Sequence, residues 1–485
     1  MRARKPSQNR CSHPARASQV TVLQRFASTT WGSGAFPKWL LTVVVLLCGE
    51  AHVAADPSML AVAPRPGDPV DAYTLEGPFE TLETAWDIAL ANDQRIASMR
   101  LGVAAAQSGC LAAQAEALPS LTLGADYIAL SEQPAMKLPQ SGLPLPGQLP
   151  FMDRESGGVS AVVTQPLYTF GRISSGVGAA AAGVRVNEAE LSRVYLDVKM
   201  QVAEAYVAVL RAQRIVGVAE SKATSLVSHT RDVSNMFDKG MVSKNDQLAA
   251  QVSLADAQQQ WLQAQNGLAM AQAAYNRALS RPLPTPVRLG ELPETPIVDD
   301  VDNLTQTALQ SRPELAALHA QARALSEQAA STRAKNAPQI GLAGGYLYQE
   351  NSYVEPNGIA GLALLAQWNV IDMGRASNQA DALCHRAQAT MRLCRDAESM
   401  IALEVRQRWL ELQTARQRVV VAQQATTQAD ENLRVARDRY QHQAGTNTEV
   451  LDAETLRVQA HTNFFNSGYE AALAALRLRR AIGQL

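Results

Sequence analysis

Short stretches of strict alternation and very long stretches of seven-residue spacing divide this chain. In Ser120–Leu130, Leu121, Leu123, Ala125, Tyr127 and Ala129 fall on one face, and Ser120, Thr122, Gly124 and Asp126 on the other. That period of two predicts a strand with one apolar and one polar face. Val159–Tyr168 predicts a second strand, after a loop (131–158) dense in Pro and Gly. Then comes a run of about 65 residues with no helix breaker, about 100 Å at the α-helical rise. Val177, Val184, Leu191 and Val198 repeat every seven residues along it, as do Tyr195, Val202 and Val209. Such heptads specify supercoiled helix packing.

The whole pattern occurs twice. Ala89-Leu90 and Pro119 return as Ala308-Leu309 and Pro338, 219 positions later; Gly171-Arg172, Phe237 and Leu248 return as Gly374-Arg375, Tyr440 and Leu451, 203 positions later. Each copy predicts helix, strand, strand, very long helix, helix. The opening helices are expected over 81–117 and 303–336, the later strands over 339–350 and 359–370, and the return helices over 245–279 and 449–482. A short opening helix stacked on a short return helix matches the long helix in length, so a wall of even height can form. The predicted organisation is an extended lead segment over 56–80, a first repeat over 81–280, a linker over 281–302 and a second repeat over 303–485. The Pro-rich makeup of the linker places it outside the wall.

Composition turns this pattern away from ordinary globular domains. Aromatic residues are 5% and net charge is −1, so no general attraction to nucleic acid is implied. A basic stretch through Lys38, the apolar Trp39–Leu47 and Val53-Ala54-Ala55 predict an export signal over 1–55. Cys48 fits lipidation poorly, because Leu47 precedes it. Five cysteines give no disulfide framework.

The predicted strands are of a length that crosses a bilayer at a tilt. Four strands cannot close on themselves, and open edges are not tolerated in lipid. Membrane insertion therefore requires several copies, and three would supply twelve strands.

Gln165-Pro166-Leu167-Tyr168 with Gly171-Arg172 marks one strand–helix junction. The turn Phe237-x-x-Gly240-x-x-Ser243-x-x-Asp246-x-Leu248 marks one hairpin tip, with Tyr440 and Val450-Leu451-Asp452-Ala453 at the other. In this order and duplication they resemble the TolC family of outer-membrane efflux channels. The resemblance implies a mainly α fold with a membrane β-barrel: a homotrimer with four strands per chain in a twelve-stranded barrel, continued by a long α-helical barrel across the periplasm. It implies an exit duct in the cell outer membrane, surrounded by outer-membrane lipid. Its implied partners are a periplasmic adaptor and an inner-membrane pump of RND, ABC or MFS type, in tripartite efflux or type I secretion. Site residues follow by position. Glu449 and Asp452 fall on the family's acidic constriction, and Tyr440 and Asp246 on its tip latch. Gly240, Ser243 and Gly445 fall in the tip turns, and Pro166, Gly171 and Gly374 at the strand–helix junctions. Gly445 stands where a second latch would need a basic residue, and Gln443 stands where the first copy has Gly240.

No catalytic, phosphate-binding or dinucleotide motif occurs, so no enzyme, cofactor or metal site is expected. His229, His319, His385, His442 and His461 are scattered. Cys384, His385 and Cys394 cannot share one helix face. Arg406, Arg408, Arg416 and Arg418 alternate with Gln and Glu and read as a solvated face. The alternative function is a periplasmic adaptor or coiled-coil scaffold, which would carry one hairpin between split globular halves.

Overall fold

A computed structural model describes residues 80–137, 148–292 and 300–485. The expected signal segment, Cys11, Cys48 and nearly all of the lead segment lie outside the described residues. So do parts of the first strand-to-strand loop and of the linker.

Each repeat is built around one long helix. In the first, α1 (Leu82–Asn92) and α2 (Gln94–Ala115) lead to strand β1 (Ser120–Ala129). A small hairpin, β2 (Ala135–Lys137) and β3 (Gln148–Pro150), precedes β4 (Glu155–Tyr168). Then come α3 (Arg172–Asp238), 67 residues long, and α4 (Lys244–Ala278), 35 residues long. The second repeat runs α5 (Val301–Ser311), α6 (Pro313–Arg333), β5 (Gln339–Gln349), β6 (Gly358–Gln367), α7 (Arg375–Gln441) and α8 (Asn447–Ala481). α7 and α8 repeat the lengths of α3 and α4.

The long loop differs from expectation: β4 begins at Glu155, and the β2–β3 hairpin occupies part of the segment. The opening helices also differ, since each is broken once. Asp93 ends α1 in an extended conformation and caps α2, its carboxylate accepting from the Arg95 and Ile96 amides at 2.7 and 3.3 Å. In the second copy the break falls at Arg312, where Pro313 forces the preceding residue out of helical geometry and then starts α6.

The four long strands form one antiparallel sheet in the order β1-β4-β5-β6. Its register places the alternating residues in continuous rows. Leu123 pairs with Ala161, Ala161 with Tyr346, and Tyr346 with Ala360; Leu121 joins Val163, Gly344 and Leu362 in the same way. One face is thus apolar across all four strands. On the opposite face Thr122, Asp126, Ser160, Thr164 and Gln349 are interspersed with Ile128, Val162, Leu347, Ile359, Leu365 and small residues, so that face is mixed. β1 and β6 are the edges, and among the described residues nothing pairs their outer sides. Among the described residues no helix is long and apolar enough to cross a membrane.

The helices pack as the length argument requires. α1, α2 and α4 lie along α3, while α5, α6 and α8 lie along α7. α6 also contacts α3, and α8 contacts α3, so the short helices of the second repeat bind the two long ones together. Two clusters of buried side chains lie away from the tips. The larger joins Val198, Val202, Tyr206 and Val209 of α3 to Leu82, Tyr275, Leu279 and Leu476. The second joins Ile401, Val405 and Leu412 of α7 to Leu304, Leu315 and Leu478. The linker corrects one expectation, because Val287 and Leu289 are buried in the larger cluster and do not stay outside the wall. Glu80 holds that strap in place: its backbone pairs with Leu289, and its carboxylate accepts from Arg281 (2.7 Å) and Tyr275 (2.9 Å). The described residues form two complete helical hairpins, whereas the adaptor alternative would carry one.

Candidate functional site at the helical tips

The strand–helix junctions fix where the helices start. Gly171 and Gly374 cap α3 and α7 with φ of 88° and 79°, a left-handed conformation that glycine adopts without steric cost. The residues before them, Phe170 and Met373, also have positive φ (50° and 53°), so each strand leaves the sheet through a tight reversal. Pro166 sits at a register shift in the β4–β5 pairing, consistent with its missing amide donor. In the second copy Asp372 accepts from the Gly374 and Ala376 amides at 2.9 and 2.8 Å.

The hairpin tips use the same chemistry twice with different residues. Gly240 ends the first long helix at φ 73°, and Gln443 takes the equivalent place at φ 55°. Gly445 is not the left-handed residue of its turn. A Cβ there would lie 3.2 Å from both Arg439 and Glu449, so close packing explains the glycine. Ser243 and Asp246 form a reciprocal capping box at the start of α4, the Asp246 carboxylate accepting from the Ser243 amide (3.2 Å) and hydroxyl (2.7 Å). Thr446 caps α8, and its hydroxyl also contacts Glu449 at 3.3 Å. Asp246 and Glu449 are therefore equivalent positions in the two repeats, each the third residue of a return helix.

Glu449 and Asp452 are both exposed on one face of α8, and Glu449 faces Arg439 across the turn at 3.4 Å. Tyr440 and Asp246 are close enough that the carboxylate, together with burial as the larger cause, raises the Tyr440 pKa. They are not hydrogen-bonded within the protomer. Among the described residues the buried Tyr440 hydroxyl has no partner, its ring packed 5.4 Å from that of His229, and both bonds of the Asp246 carboxylate fall on Oδ2 within its own cap.

The structure adds a polar ladder that sequence reasoning missed. Asn447, Glu454 and His461 are spaced seven residues apart on α8, and the first two are buried (4% and 1% exposed). Asn447 Oδ1 meets His229 Nε2 of α3 at 2.7 Å. Ser225 donates to Glu454 at 2.6 Å, and Arg457 donates to Ser221 at 3.1 Å. Glu454 is further paired with Arg437 and Arg457, both at 3.0 Å, and Arg437 also contacts Ser225. His461 meets Asp430 of α7 at 3.0 Å. The seven-residue spacing was visible in the sequence. Its pairing with Ser221, Ser225 and His229, one helical turn apart on a distant helix, was not. Burial lowers the His229 pKa against the raising effect of its Asn447 bond.

A second grouping lies far from the tips. His319 of α6 stands beside Cys394 of α7, with Glu398 one turn further on. Neither Cys384 nor His385 takes part. Cys110, Cys384 and Cys394 are unpaired.

An amphipathic antiparallel sheet on two very long helical hairpins defines a membrane channel with an elongated helical body. The family model described as outer membrane efflux protein matches residues 85–281 and 304–484, and the chain belongs to that family. It is an outer-membrane exit duct for efflux. No curated protein matches it by sequence. Among solved structures it resembles the outer membrane protein VceC from Vibrio cholerae, with 19% identity over 83% of this chain and 96% of that one at a TM-score of 0.68. The CmeC outer membrane channel of Campylobacter jejuni gives 13% identity over 85% and 90% at 0.70. The open state of the Neisseria gonorrhoeae MtrE outer membrane channel gives 17% over 83% and 88% at 0.66. These likenesses concern the fold.

Proposed function

We propose that three copies of this chain close their sheets into a twelve-stranded barrel in the outer membrane. Their helices continue it as a duct through the periplasm. The observation that carries this reading is the four-stranded sheet with an apolar face and two edges, β1 and β6, left unpaired among the described residues. Exposed edges in hydrocarbon cost several kcal/mol for each unsatisfied group, and neighbouring copies remove that cost.

The conduit is passive and serves tripartite efflux or type I secretion. It opens when a periplasmic adaptor and an inner-membrane pump of RND, ABC or MFS type dock at the tips. Tyr440 and Asp246 hold the tip shut. The buried Tyr440 hydroxyl lacks an acceptor among the described residues of its own protomer, which supports a latch completed in the assembled mouth. Glu449 and Asp452, repeated by three chains, form the acidic constriction. Gly240, Ser243 and Gly445 shape the turns that carry these residues.

The latch is tested by Tyr440→Phe in planar bilayers. Single-channel conductance is expected to rise, because only the hydroxyl is removed. Unchanged conductance with a protein made more stable by about 1 kcal/mol would mean that the hydroxyl has no partner in any state, and would reject the latch.

A further inference from the structure

α6 and α7 pack side by side near the second core cluster. The place is about 30 Å along α7 from its junction with the sheet, at 1.5 Å per residue. Cys394 is 1% exposed and Glu398 lies one turn away on the same face of α7. His319 of α6 presents Nε2 at 3.4 Å from the Cys394 sulfur. One ligand atom from each of the three side chains lies within 4.8 Å of the other two.

These separations match a coordination polyhedron. With Zn–S near 2.3 Å and Zn–N near 2.0–2.1 Å, tetrahedral angles place sulfur and nitrogen ligands about 3.5 Å apart. The His319–Cys394 pair already spans that edge. A thiol-to-imidazole hydrogen bond accounts for the pair alone. It does not account for a carboxylate converging on the same point, which a shared cation would do.

We propose that His319, Cys394 and Glu398 bind one borderline divalent cation of the zinc class. The imidazole and thiolate donors select against magnesium and calcium, which prefer all-oxygen ligands. Three protein ligands leave a fourth position for water. Binding displaces the thiol proton to solvent as the metal–sulfur bond forms, so affinity falls as pH is lowered. The bound ion ties the opening helix of the second repeat to its long helix.

The test uses the full chain in detergent, reduced and stripped with chelator, titrated with cobalt(II). One cobalt per chain is expected, with a thiolate-to-cobalt charge-transfer band in the near ultraviolet that zinc(II) abolishes by displacement. Cys394→Ala is expected to remove the band and Cys384→Ala to leave it. His319→Gln changes an exposed residue. It should weaken cobalt binding by at least the roughly tenfold cost of losing even an outer-shell partner, and Glu398→Gln should do the same. No band at saturating cobalt, a band that survives Cys394→Ala, or His319→Gln affinity equal to the parent would overturn the site.

Discussion

Glu454 carries a carboxylate into the packed tip half of the helices, and the protein answers it with two arginines and a serine. A buried charge persists only when its partners are held in place, so this residue ties α3 to both arms of the second hairpin. His229 does the same without charge. It is held neutral by burial, with Asn447 on Nε2 and Arg437, Asp232 and Glu454 as the charged groups that influence it. Its folded pKa lies below its unfolded value, so its contribution is complete above the unfolded pKa of about 6.5 and is lost as pH falls through the folded value. Hydrogen-exchange protection of the Asn447–Glu454 amides should therefore fall on acidification below about pH 6.5. His229→Gln should flatten that response; a mutant with the same pH dependence as the parent would refute the assignment. Glycine and proline positions were the most legible residues, because φ and donor loss are local properties. Gly171 and Gly374 cap the long helices in left-handed conformation, and Pro166 lies at the β4–β5 register shift. Gln443 and Gly445 were harder to read, since one adopts a left-handed conformation without being glycine and the other is glycine for lack of space.

Among the elements, alternation marked the long strands, the absence of breakers marked the long helices, and the duplication placed them in order. It missed the breaks at Asp93 and Arg312, although Pro313 was a signal in the second copy. A one-residue interruption leaves the apolar stripe nearly in phase, so the period alone does not expose it. Composition misplaced the linker, because two buried side chains, Val287 and Leu289, outweigh its prolines. The apolar face of the sheet makes a directional prediction. Leu362 lies mid-strand in the continuous apolar row and is 75% exposed in the protomer. Leu362→Arg should destabilise the lipid-inserted protein by about 2–4 kcal/mol, the cost of a basic residue near the bilayer midplane. Ala363→Arg, on the opposite face, should cost far less. Urea titrations of both variants folded into lipid vesicles measure the difference, and equal losses would contradict the assignment of faces.

At the scale of the described chain, the short helices of the second repeat pack against both long helices and join the two hairpins into one wall section. The sequence disclosed the equal heights of those hairpins but not which helix seats against which, since the contacts join residues more than 200 positions apart. In the proposed trimer, three copies would place six carboxylates from Glu449 and Asp452 around one axis, and such crowding would attract cations. Glu449→Gln combined with Asp452→Asn should lower cation preference in bi-ionic bilayer recordings. A reversal potential identical to the parent's would discard the ring.

The most direct measurement for the account as a whole is the protein mass of the detergent-extracted particle, obtained by light scattering with the detergent contribution subtracted. Three chains per particle, with precipitation on detergent removal, is the predicted result. A single chain that stays dissolved in plain buffer would contradict it.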